Sequence, residues 1–194
     1  MVDLEGKFVK YHGYTIICKV LDVKALEGIE NIISTSKTLK KYIVPTPYSS
    51  YHMTITGINK KNSDKILQED LNTLIELCTK YATPMQVSVK DVYFGDTPGI
   101  LLSVHPKTTV LRNLLMNSVG MKIKSYSYHI TIGYKFREQI DVGDYEGYAD
   151  DVTDIKKYIF SMFPTHYETI SLDSAKVCEF NDMTKFTPLT KADL

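Results

Sequence analysis

The hexapeptide Ser50-Tyr51-His52-Met53-Thr54-Ile55 recurs as Ser127-Tyr128-His129-Ile130-Thr131-Ile132, with five of six positions identical. The copies stand 77 residues apart in a chain of 194. Each alternates polar and apolar side chains, the period of a strand with one buried face. A repeat of this kind constrains the chain to two similar halves, each supplying one such strand. Residues two apart in a strand share a face, so His52 lies with Thr54 and His129 with Thr131. Met53, Ile55, Ile130 and Ile132 fall on the opposite face, as core. Tyr51 and Tyr128 face away from the histidines, whereas Ser50 and Ser127 share their side.

The rest of the chain fits two such halves. Strand character runs through Tyr14–Val20, Tyr51–Gly57, Met85–Phe94, Ile100–Val104, Tyr126–Tyr134 and Glu168–Phe180. Between these, apolar residues recur at helical spacing: Leu26, Ile29 and Ile33; Leu67, Leu71, Leu74, Ile75 and Cys78; Leu111, Leu114, Leu115 and Val119; Val152, Ile155, Ile159 and Phe163. Ser63 and Asp64 start the second helix, Pro84 stops it, and Asp96-Thr97-Pro98-Gly99 turns between two strands. The expected fold is α+β. It is a bilobal, duplicated domain over residues 1–194, in which two antiparallel or mixed sheets line a central cleft and helices cover the outer faces. Arg137–Asp151, rich in Gly, Asp, Glu and Tyr, is expected to be a loop near that cleft.

Charge narrows the partner. Lys plus Arg equals Asp plus Glu at 23 each, whereas holding a long nucleic acid by many phosphates favours a basic excess. The ligand expected is therefore a small nucleotide, with no long nucleic acid and no membrane. No run approaches the roughly 20 apolar residues of a membrane span, and the charged N-terminus does not read as a secretory signal. Cys18, Cys78 and Cys178 lack metal or redox spacing, which suits reduced thiols in a cytoplasmic monomer. Arginine is rare beside lysine, and Lys, Ile, Tyr and Asn abound, a bias that points to an AT-rich, viral genome and a host cytosol.

The paired motif supplies a chemistry. One imidazole takes a proton from an attacking oxygen while the other gives one to the leaving oxygen, roles that a side chain of pKa about 6.5 fills near neutrality. The hydroxyls of Thr54 and Thr131 are suited to the non-bridging phosphate oxygens, so neither a metal nor a cofactor is expected. A lone histidine in a strand is more often structural; a matched pair with matched flanks reverses that. His12, His105 and His166 lack the spacing and read as surface or structural. Tyr48 and Tyr134, at the ends of the motif strands, are candidates to stack on a base, with Ser50 and Ser127 as further substrate contacts. Lys122, Lys124, Lys135 and Arg137 bracket the second motif and are positioned to draw in phosphate.

This arrangement resembles the two-histidine (2H) phosphoesterase superfamily, which includes RNA 2′-5′ ligase-like and cyclic phosphodiesterase enzymes of duplicated, bilobal fold. By that resemblance the catalytic pair and phosphate ligands are His52, His129, Thr54 and Thr131. Ser49-Ser50-Tyr51-His52-Met53-Thr54 and Cys178-Glu179-Phe180-Asn181-Asp182-Met183 are similar to a little-characterised branch of that superfamily. The function implied is metal-independent cleavage of a phosphodiester next to a ribose hydroxyl. The substrate expected is a cyclic dinucleotide of the cGAMP type or a 2′-5′ oligoadenylate, degraded by a virus evading host immunity. Two other readings stay open: processing of RNA ends with a 2′,3′-cyclic phosphate, and a nucleotide-binding module without turnover.

Overall fold

The computed structural model describes residues 2–21, 23–58, 67–163 and 169–193. Among these the chain runs β1 (Gly13–Lys19), α1 (Val23–Thr35), β2 (Ile43–Pro45), β3 (His52–Gly57), α2 (Gln68–Tyr81), β4 (Met85–Tyr93), β5 (Gly99–Ser103), α3 (Pro106–Ser118), β6 (His129–Thr131), β7 (Gly133–Lys135), α4 (Tyr145–Met162), β8 (Thr169–Leu172), β9 (Lys176–Asp182) and β10 (Lys185–Pro188). The architecture is the α+β, duplicated one that the repeat implied. The Ser63–Asp64 start of the second helix lies outside the described residues, and so does His166.

Eight strands form one antiparallel sheet in the order β10-β9-β1-β3-β6-β5-β4-β8, and β2 pairs with β7 as a separate ribbon. The two half-sheets, β10-β9-β1-β3 and β6-β5-β4-β8, thus meet edge to edge at the motif strands. The sheet is strongly curled. Leu172, at the end of the edge strand β8, forms a bridge with Val20 just beyond β1, and Leu21 N–H donates to the Ser171 carbonyl at 2.9 Å.

One sheet face is packed under the helices. Met53, Ile55, Ile130 and Ile132 are all 0% exposed, and they share a core with Leu26, Ile29 and Ile33 of α1, Leu71 and Leu74 of α2, Leu111 and Leu115 of α3, and Ile155 and Ile159 of α4. α1 lies beside α4 and α2 beside α3. No helix among the described residues is long and apolar enough to cross a membrane.

Three segments depart from the sequence reading, each for a local reason. The strand expected over Tyr126–Tyr134 divides. β6 stays in the main sheet, and Gly133 turns β7 onto β2, where a side chain would lie 2.8 Å from Ile43 Cγ2 and 2.9 Å from the Val44 carbonyl. The strand expected to end at Phe180 also divides. Asp173 takes the Ser174 N–H at 2.7 Å and pairs with Lys176 at 2.5 Å, and this turn carries the chain from one half-sheet to the other. The expected loop at 137–151 is a helix from Tyr145 onward. Its glycine marks close packing, because a Cβ at Gly147 would meet Thr38 Oγ1 at 2.9 Å. The preceding turn is anchored by Tyr42, whose hydroxyl accepts from Asp141 N–H and donates to Asp144 at 2.8 Å.

Gly99 joins fold to site. A Cβ there would stand 2.9 Å from both the Ile130 carbonyl and the Tyr93 hydroxyl. Gly99→Ala is therefore expected to destabilise the protein by roughly 1–3 kcal/mol through forced backbone displacement. The check is denaturant unfolding; an unchanged midpoint contradicts the packing described.

Candidate active site

Met53 and Ile130 are direct partners across β3 and β6. Antiparallel register then sets Thr131 opposite His52 and His129 opposite Thr54. The two histidines are diagonal neighbours, a relation that separates positions by about 7–8 Å. The four polar side chains form a square on the face turned away from the helices. In it the hydroxyl directly opposite each imidazole belongs to the other motif.

Both rings are held in the same way. His52 Nδ1 lies 2.7 Å from the Ser50 carbonyl and His129 Nδ1 lies 3.0 Å from the Ser127 carbonyl. A carbonyl only accepts, so Nδ1 carries the proton in each ring and Nε2 is the other ring nitrogen. Nε2 is a lone-pair base when the ring is neutral and a donor when it is charged. The serines thus act through backbone oxygens; the Ser50 hydroxyl donates to the Pro47 carbonyl at 2.7 Å.

Their surroundings differ. The Phe186 ring packs on His52 with centroids 4.1 Å apart. Phe186 belongs to β10, three strands away in the sheet order, a distance of about 14 Å in a flat sheet, so the curl is what brings it there. Burial pushes the His52 pKa down to about 4, the Ser50 carbonyl opposing and the His129 charge adding to the fall. His129 is flanked by Tyr93 at 6.1 Å and Tyr126 at 6.3 Å between ring centroids.

Cross-strand rows place further groups beside the square. Lys19, exposed on β1, is the partner of His52; Gly99 is the partner of Thr131, and Tyr93 that of Gly99. Aromatic rings gather at both ends. Beside His52, Phe186 contacts Phe180 and Phe180 contacts Tyr11, with centroids 5.5 and 5.9 Å apart. Beyond His129, the Tyr134 hydroxyl feels Tyr93, and the Tyr134 ring meets Phe8 edge-on at 6.0 Å.

Of the residues singled out by sequence, His52, Thr54, His129 and Thr131 are brought together, and Tyr134 stands in the second aromatic group. Tyr48 is packed against the core instead, its N–H held by Glu30 at 2.8 Å. Lys135 donates to the Glu138 carbonyl and Arg137 lies over Phe136, 5.7 Å from its centroid. His12 pairs with Glu179 at 2.6 Å, and His105 caps α3. Lys19, Tyr93, Tyr126 and Phe186 were missed. Lys19, Tyr93 and Phe186 reach the histidines by strand order or curl and Tyr126 from the irregular segment before β6, and no local motif marks any of them. A groove of about 780 Å³ between α2 and the C-terminal segment shares no lining residue with this site. Among the described residues no group of three His, Cys, Asp or Glu side chains is placed to hold a metal.

Residues 2–73 match the family 2H-phosphodiest, described as a domain of unknown function (DUF1868). That match spans the first of the two motifs, His52-Met53-Thr54, and stops before the second. A segment is 34% identical over 61 residues to uncharacterized protein 127L of Invertebrate iridescent virus 6, covering 29% of this chain and 26% of that relative. The fold is similar to the conserved protein of unknown function ATU0111 from Agrobacterium tumefaciens, with TM-score 0.71, 16% identity, and coverage of 97% of this chain and 89% of that one. It is also similar to E. coli LigT complexed with phosphate, at TM-score 0.58 and 12% identity, covering 94% of this chain and 96% of that one. LigT complexed with 3'-AMP aligns at TM-score 0.58 and 10% identity, covering 92% and 95% of the two chains.

If Phe186 is what keeps water from His52, Phe186→Ala raises the His52 pKa from about 4 toward the ordinary value. Imidazole NMR titration measures this, and an unmoved His52 curve contradicts it. The sign for stability follows. Between pH 6.5 and about 4 the unfolded state binds a proton at His52 that the folded state refuses, so wild type loses stability relative to His52→Gln as pH falls through that window.

Proposed function

We propose that this chain is a 2H phosphoesterase, a metal-independent phosphodiesterase that cleaves a nucleotide phosphodiester next to a ribose hydroxyl. The observation that carries the reading is the square of His52, Thr131, His129 and Thr54, with each Nδ1 occupied by a carbonyl and each Nε2 left for chemistry.

The geometry suggests distinct roles. His52 is held neutral by burial, so its Nε2 takes the proton from the ribose hydroxyl as that oxygen attacks phosphorus. His129 then acts as the acid, delivering a proton from Nε2 to the leaving oxygen as the P–O bond breaks. The products are a 2′,3′-cyclic phosphate and a free hydroxyl, and the histidines exchange charge states. Thr54 and Thr131 donate to the non-bridging oxygens, where charge grows in the transition state. Lys19, in register with His52, adds a cation to the approach.

Aromatic groups on both sides of the pair favour a substrate with a base on each side of the scissile phosphate, since base–aromatic stacking contributes about 1–3 kcal/mol per base. We therefore favour a cyclic dinucleotide of the cGAMP type or a 2′-5′ oligoadenylate over a lone 2′,3′-cyclic phosphate end. The partial match to an iridescent virus protein is consistent with a viral enzyme that removes such messengers in a host cytosol, acting as a monomer on a small nucleotide rather than on long RNA. The LigT structures hold phosphate, ATP and 3'-AMP, which supports a nucleotide ligand for the shared fold.

The test is a panel of cyclic dinucleotides, 2′-5′ oligoadenylates and cyclic-phosphate ends, with products identified by mass. His52→Ala and His129→Ala are each expected to lower kcat by about 10²–10⁴ with the circular dichroism spectrum unchanged. EDTA is expected to leave the rate unaltered. Because the base must be neutral, activity falls on the acid side only as pH drops through about 4. Turnover by either alanine variant at the wild-type rate contradicts the proposal, as does inactivation by EDTA.

A further inference from the structure

A polar cavity of about 240 Å³ lies between α3 and the irregular segment that leads into β6, lined by Arg112 and Asn113 of the helix and by Lys124, Tyr126 and Tyr128 among others. Among the described residues two cations and no carboxylate line it. Arg112 is 5% exposed, yet it has no ion pair among the described residues. Its Nη1 donates to the Lys124 carbonyl at 3.0 Å and its guanidinium lies 4.8 Å from the Tyr126 centroid, but its Nε finds no acceptor. Asn113 Oδ1 and the Tyr128 hydroxyl are likewise buried with no hydrogen-bond partner. Three of the four such atoms among the described residues thus belong to the walls of one cavity.

A buried charge is stable when it is paired and hydrogen-bonded, and neither the carbonyl nor the aromatic face neutralises this one. We infer that the cavity is a phosphate subsite, separate from the histidine square, in which Arg112 and Lys124 hold the anion, the Tyr128 hydroxyl donates to it and Asn113 Oδ1 accepts from it. A guanidinium fork matches the oxygens of a phosphate or a carboxylate. The amide oxygen decides between them, because it needs a donor. A phosphate bearing a P–OH supplies one, and a carboxylate or a sulfate has none to give. Tyr126 joins the cavity to the square, its ring lying 6.3 Å from that of His129. The phosphate therefore has two sources, a free ion or the terminal phosphate of a nucleotide seated on the square.

The square and the cavity share no residue, so the inference stands apart from the phosphodiesterase reading. The chain has two arginines, Arg112 and Arg137, so the arginine Nε–H signals of a heteronuclear NMR spectrum read this site directly, with Arg137 as an internal control. Inorganic phosphate is expected to shift the Arg112 signal saturably and to leave Arg137 unmoved, with sulfate about tenfold weaker. The response is expected to persist in Thr131→Val, which removes a hydroxyl from the square. Asn113→Asp keeps the size of the side chain and sets a carboxylate beside the guanidinium. It is expected to weaken phosphate binding about tenfold or more without lowering the thermal midpoint. Tyr128→Phe, which deletes only the hydroxyl, is expected to weaken binding several-fold. A dinucleotide with a terminal phosphate that shifts Arg112 at lower concentration than inorganic phosphate assigns the site to substrate; an equal response assigns it to the free ion. An Arg112 signal that ignores phosphate overturns the inference, as does one that answers sulfate equally or is lost in Thr131→Val. Unaltered affinity in both Asn113→Asp and Tyr128→Phe overturns it too.

Discussion

The backbone pairing of Met53 with Ile130 is the constraint on which the site depends. It joins two half-sheets edge to edge and puts two copies of one motif on adjacent strands in opposite directions. A slip of one residue would turn both histidines into the core and both apolar partners out. What opposes that slip is burial. Met53, Ile55, Ile130 and Ile132 are excluded from water beneath four helices, and reversing their faces would expose all of them. The same packing that stabilises the sheet therefore sets the distance between the imidazoles.

Identical motifs do not give identical surroundings. Each ring takes its orientation from its own strand, through the carbonyl two residues back, and its electrostatics from elements far away in sequence. β10 curls over to cover His52, whereas Tyr93 and Tyr126 leave His129 in a more polar setting. Two groups of one type are thereby placed in different surroundings, and burial pushes the His52 pKa down. The duplicated fold supplies the symmetry that brings both rings to one face of the sheet; the unequal flanks break it.

Much of this was legible in the sequence, because the signals were periodic or repeated. The echo marked the two strands, alternation assigned their faces, and 3.6-residue spacing placed α1, α3 and α4 over the core. What escaped had no local signature. Phe186 reaches His52 only through sheet curl, and Lys19 only through register with β1. The first turns of α4 were hidden because Gly147 looked like a loop residue, when its missing side chain is what admits Thr38. Tyr48 misled in the opposite sense. Its place at the end of a motif strand suggested a ligand contact, but a short helical turn over Tyr48–Ser50 directs it to the core.

The central claim is that one phosphorus is reached by both imidazoles at once. The most direct measurement is a crystal structure with a ribonucleoside vanadate, whose five-coordinate vanadium imitates in-line displacement. The account predicts His52 Nε2 and His129 Nε2 within hydrogen-bonding distance of the two apical oxygens, with the Thr54 and Thr131 hydroxyls on equatorial ones. Vanadate bound to a single histidine, or bound away from the face that carries them, would contradict it.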